Sequence, residues 1–144
     1  MDPVALEQLV DECARLPRES MRETRLTREI RKLGPESAIT ILEELIQHGS
    51  AAALPIAQRV LHQPADLSRV FNAALRSADG SKRTKPILVF GLKTMGIRRV
   101  MRLLREHRDS EKLMALVRYY LPGLVEASSR EWVETRLESF TVRG

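Results

Sequence analysis

Between Ala38 and Ile46 the apolar residues recur in steps of three and four: Ala38, Ile39, Leu42, Leu45 and Ile46, with Gly49 following as a stop. That spacing gathers them on one face of an α-helix and would scatter them over both faces of a strand. The same periodicity, broken by Pro, Gly and capping residues, runs along the rest of the chain. Aromatic residues make up only 4% of it (one Trp, two Tyr, three Phe), so Leu, Ile, Val, Ala and Met must fill the core. An aliphatic core suits helices packed on helices better than two sheets face to face.

The punctuation predicts about nine short helices. Asp2-Pro3 opens the first, which carries Leu6, Leu9, Val10 and Cys13 and ends at Pro17. Ser20 caps a second through Leu26, Ile30 and Leu33, and Gly34-Pro35 closes it and starts the third. A fourth runs from about Ser50 to His62, where Pro55 must either kink the helix or mark a later start. After Gln63-Pro64, a fifth presents Leu67, Val70, Phe71, Ala74, Leu75 and Ala78. Residues 79–85 form the one long polar connection.

Ile87-Leu88-Val89-Phe90 has the composition of a buried strand, but no second strand candidate exists to pair with it. A short helix, buried on most sides and continuing through Gly91, Leu92 and Met95, is the better reading. A seventh helix runs from Gly96 to about Arg108. Asp109 or Ser110 caps an eighth (Leu113, Leu116, Val117, Tyr120), stopped by Pro122-Gly123. Ser128 or Ser129 caps the last, whose apolar residues are Trp132, Val133, Leu137 and Phe140.

The expected fold is therefore all-α, a single domain spanning 1–144 with short connections and antiparallel neighbours. Residues 35–62, 64–95 and 97–121 each read as a helix–turn–helix unit. In this arrangement the chain resembles proteins built from HEAT-like helical repeats, a likeness of architecture over 35–121 rather than of any repeat motif. The resemblance implies a right-handed stack of helical hairpins and a non-catalytic scaffold that binds partners on an extended face. A compact irregular helical bundle is the competing architecture.

Charge is distributed unevenly. Residues 1–81 hold ten Lys/Arg and twelve Asp/Glu, and residues 109–144 hold five and six. Between them, Lys82, Arg83, Lys85, Lys93, Arg98, Arg99, Arg102, Arg105 and Arg108 face only Glu106, a net of +8 in 27 residues. At about 100° per residue, Val100, Met101 and Leu104 fall within roughly 60° of Ile97, while Arg98, Arg99, Arg102 and Arg105 lie between roughly 80° and 200°. An aliphatic face would anchor the helix and four guanidiniums would point away. Like charges at three- and four-residue spacing cost a few tenths of a kcal/mol per pair. An anionic partner would relieve that cost, and Arg grips phosphate or carboxylate bidentately. The plainer reading is a solvated face, neutralised by acidic residues such as Glu43 and Glu44. A second basic stripe (Arg15, Arg18, Arg22, Arg25) is interleaved with Glu19, Glu23 and Glu29 and reads as intrahelical ion pairs.

No catalytic constellation emerges. His48, His62 and His107 fall near predicted helix ends, where the dipole favours a cation. No His, Cys, Asp or Glu pair has metal-ligand spacing, and no cofactor is implied. His107-Arg108-Asp109 matches a kinase catalytic tripeptide but lacks the downstream Asn, the D-F-G and the glycine-rich loop. Cys13 stands alone, so no intrachain disulfide forms; it reads as a core residue. The N-terminal Met1-Asp2-Pro3-Val4 has neither a basic nor an apolar leader region, and apolar runs reach only about four residues against the roughly 20 of a membrane span. The expectation is a cytoplasmic, non-enzymatic adaptor that binds an acidic partner protein through residues 82–108. The alternative is a nucleic-acid binder (DNA or RNA) that uses the same face on the phosphate backbone. Stacking on single strands is disfavoured by the lack of aromatics near the basic segment apart from Phe90, which reads as buried, and attachment to anionic lipid by the lack of a Trp or Phe to insert on the seventh helix. Integral membrane association is not expected.

Overall fold

A computed structural model describes residues 8, 11, 21–78 and 81–141. Among these the chain forms eight α-helices and no strand: α1 Met21–Arg31, α2 Pro35–Gln47, α3 Ala53–Val60, α4 Pro64–Ala78, α5 Thr84–Met95, α6 Ile97–Arg105, α7 Glu111–Leu124 and α8 Ala127–Thr141. Of the helix expected over the first seventeen residues only Gln8 and Asp11 are described, both helical; Cys13, Arg15 and the Ser20 cap lie outside the described residues. No helix among them is long and apolar enough to cross a membrane. The chain divides into two compact units, one ending at Ser77 and the other beginning at Ala78.

In the first unit α1, α2 and α3 pack on one another. Leu26, Ile30, Ile39, Leu42, Leu45 and Ile56 are completely buried, as their spacing requires. Leu33, expected on the same stripe, lies past the end of α1 and is partly exposed. Helix α2 closes on a Schellman motif: Gly49 adopts φ 73°, its N–H donates to Ile46 O, and the Ser50 N–H donates to Leu45 O. Pro55 does not kink α3. The helix begins at Ala53, later than the expected Ser50, so Pro55 falls in the first turn, where its missing N–H has no partner to lose. The Arg31 guanidinium donates to Arg59 O, in the last turn of α3. Helix α4 is joined to α2 by Arg69–Glu36 at 2.8 Å and by the Ser77 hydroxyl donating to Ile46 O.

In the second unit α5 packs on α6 and α7, and α8 packs on α7 and α6. Each hairpin thus meets the other like on like, first helix on first and second on second. The 87–90 run is helical. Ile87, Leu88 and Phe90 are buried but Val89 is 42% exposed, so α5 keeps one solvated edge. Gly96, at φ 84° and ψ 164°, ends α5 and starts α6 as the single residue between them. That backbone region is open essentially to Gly alone. Ser110, rather than Asp109, caps α7, its hydroxyl accepting from Leu113 N at 3.4 Å. Helix α7 runs through Pro122 to Leu124, past the stop expected there, and α8 starts at Ala127, ahead of both serines proposed as its cap.

Candidate nucleic-acid interface

Helix α6 is short and strongly two-sided. Val100, Met101 and Leu104 are buried, and Arg98, Arg102 and Arg105 are exposed, while Arg99 is half-buried. The helix ends at Arg105 instead of continuing to Arg108. Residues 106–109 turn, and the Arg108 guanidinium folds back to donate to Arg105 O at 3.0 Å. The same guanidinium keeps its Nε shielded from solvent with no hydrogen-bond partner among the described residues. An unmet donor of this kind has a measurable cost, so the wall it belongs to is short of acceptors.

Packing α8 beside α6 opens a cleft of about 630 Å³ within the second unit. One wall carries Arg98, Arg102 and Arg105, with Arg108 at its end; the other carries Trp132, Arg136, Ser139 and Phe140. On α8 these four stand at i, i+4, i+7 and i+8, a single helical face. The Arg136 guanidinium lies over the Trp132 ring, 5.0 Å from its centroid, a cation–π contact that also holds the indole at the cleft. A shallower depression continues past Trp132 towards Ser128, Glu131 and Thr135. The carboxylates of α8 otherwise lie on its far edge, where Glu134 and Glu138 line a small recess with Arg118 of α7. Among the described residues, none of Arg98, Arg99, Arg102, Arg105 and Arg136 is joined to an Asp or Glu side chain.

Four of the nine basic residues singled out in the sequence therefore meet in the cleft: Arg98, Arg102, Arg105 and Arg108. The other five do not line it. Lys82, Arg83 and Lys93 are exposed on or beside α5, and Arg99 projects from another side of α6. Lys85 lies over the Tyr120 ring of α7 at 5.9 Å from the centroid. Tyr120 in turn meets Tyr119 edge to face, 5.0 Å between centroids. Glu43 and Glu44, considered as neutralising partners, belong to α2 of the first unit.

Sequence reasoning places Trp132 and Phe140 in the apolar stripe of the last helix. Only Val133 and Leu137 are core residues there; Trp132 and Phe140 are half-buried at the cleft. It also passes over Arg136. The helical register Trp132–Arg136–Phe140 was the available signal. The three histidines all follow helix ends, His48 and His62 after α2 and α3 and His107 after α6. His48 Nε2 faces Asp11 Oδ1 at 3.8 Å. The chain matches no family model, no curated protein and no solved structure.

Proposed function

We propose that this chain is a non-catalytic, cytoplasmic helical module that binds nucleic acid through the α6–α8 cleft. The observation that carries the reading is the convergence of five guanidiniums on the same cleft as Trp132 and Phe140, none of them joined to a carboxylate among the described residues. Guanidiniums supply the fork geometry that suits phosphate. Aromatic side chains beside them meet the objection that the sequence alone raised against nucleic-acid stacking. The like-on-like meeting of α5–α6 with α7–α8 supports a HEAT-like stack, with its units shifted by one helix to 84–105 and 111–141.

An acidic partner protein is the second reading, favoured by a different feature. Tyr119 is 77% exposed beside the Lys85–Tyr120 contact, and Tyr and Arg are the residues that enrich protein interfaces.

Binding of a labelled oligonucleotide, measured by anisotropy across a salt series, tests the first reading. The triple variant Arg98→Glu/Arg102→Glu/Arg105→Glu should lose affinity by about 100-fold or more at low salt, where phosphate contacts dominate. Its helical content should be unchanged, because all three side chains are exposed. Retention of full affinity by this variant would remove the cleft as the interface.

A further inference from the structure

We infer that the ligand of the α6–α8 cleft is a single strand with an unpaired base stacked at Trp132, rather than a duplex. The inference rests on the nucleic-acid reading of this cleft and narrows it.

The cleft is concave and its cations are divided between facing walls: Arg98, Arg102 and Arg105 on α6 and Arg136 on α8. Arg98 to Arg105 spans about 10 Å at 1.5 Å per residue, the run of roughly three stacked nucleotides at about 3.4 Å each. The site is thus short, and it encloses a strand more readily than it covers the outside of a double helix. In a duplex every base is already stacked between its neighbours, and side chains reach only the groove edges. An indole at the wall of a phosphate-binding cleft gains nothing from such a ligand. It gains from a base that has come out of the stack, because every base offers a π-face. Arg136 lies over the ring of Trp132 at 5.0 Å, and a guanidinium plane is itself a stacking surface, so the pair extends the platform on which a base would rest. Phe140, one helical turn past Arg136 on the same face, lines the same wall.

Trp132 is the only tryptophan in the chain, so its fluorescence reports on this site alone. We expect a single-stranded decamer (oligo-dT or oligo-U) to quench it saturably. The single-strand salt slope should be about −2 to −3.5, from roughly three to five phosphates at −0.7 each. Duplex of equal phosphate concentration should quench little. With a labelled decamer, Trp132→Ala should weaken single-strand binding by roughly 5- to 150-fold, the worth of one stacked base, and weaken duplex binding by much less. Trp132→Phe should restore part of the affinity that Trp132→Ala loses, which guards against a folding defect. Equal binding of duplex and single strand, or a Trp132→Ala protein with an undiminished single-strand preference, would overturn the inference while leaving backbone binding in place. A free nucleoside monophosphate bound as tightly as the decamer would overturn the strand as ligand. Polyglutamate bound more tightly than any oligonucleotide, or no binding to any nucleic acid at low salt, would overturn the nucleic-acid reading itself.

Discussion

The two units use the same kind of residue in opposite ways. In the first, three cations are engaged by structure: Arg31 binds a carbonyl at the end of α3, Lys32 pairs with Glu29 at 3.5 Å, and Arg69 pairs with Glu36 at 2.8 Å. In the second, Arg98, Arg102, Arg105 and Arg136 have no carboxylate among the described residues; two guanidiniums cap helices there, that of Arg130 on Pro122 O and that of Arg108 on Arg105 O, and the latter still keeps an unmet donor. Overall charge differs between the units, with ten Lys/Arg against eleven Asp/Glu in the first and fourteen against eight in the second. What decides the fate of each cation is whether acids share its helix face. Charge reversal should expose the difference most strongly. The Arg98/Arg102/Arg105 variant should lose about 100-fold or more in polyanion binding, whereas Arg25→Glu/Arg28→Glu/Lys32→Glu in the first unit should change it less than about 3-fold. Similar losses from both variants would mean that the molecule binds through its general field and that the cleft has no special part.

The next contrast lies in the backbone. Among the described residues each unit has one glycine at positive φ, but the two conformations differ in cost. Gly49 (φ 73°) sits in the left-handed region that ends α2, and Gly96 (φ 84°, ψ 164°) sits where other residues hardly go. Gly49→Ala should cost about 1–2 kcal/mol and Gly96→Ala about 2–3 kcal/mol, read from denaturant midpoints. A Cβ on Gly96 would meet no atom within 4 Å, so the cost there is conformational rather than steric crowding. Because Gly96 sets how α6 leaves α5, its substitution should also weaken oligonucleotide binding, and that of Gly49 should not. A smaller effect is expected at Ser110, whose hydroxyl meets Leu113 N: Ser110→Ala should cost about 1 kcal/mol.

Much of the fold could be read from the residues because helix formation here follows local rules. The Ala38–Ile46 stripe is buried as its spacing dictates, and Gly49 stops α2 through its own backbone. The two-sidedness of α6 was legible for the same reason: Arg98, Arg102 and Arg105 are exposed opposite the buried Val100, Met101 and Leu104, although Arg99, expected with them, is half-buried. What could not be read was which helix stands opposite those arginines. Helix α8 is about thirty residues away, and its surface interleaves aromatic, basic and acidic residues around the axis. Periodicity alone therefore assigns Trp132 and Phe140 to the core along with Val133 and Leu137. The distinction between them depends on where α6 and α7 press against α8, which is a tertiary fact. Pro55 shows the same limit on a smaller scale: it lies within the first turn of its helix and reads as either a kink or a later start until the start of the helix is known.

The smallest predicted effect tests the comparison from its other side. Arg69 and Glu36 approach to 2.8 Å, yet their side chains are 48% and 80% exposed. In water such a pair gains little Coulomb energy, loses side-chain freedom and is screened by salt, so its worth is about 0–1 kcal/mol. Arg69→Ala should therefore lower stability by no more than that, with the loss shrinking as salt is raised, and should leave oligonucleotide affinity unchanged. Binding responds differently to salt: if affinity belongs to unpaired arginines releasing counterions from phosphate, it falls steeply over the same range. Short distance and functional weight thus point to different residues. A drop in affinity on mutating Arg69 would mean that paired cations of the first unit also serve the ligand, and the division of labour between the units would fail.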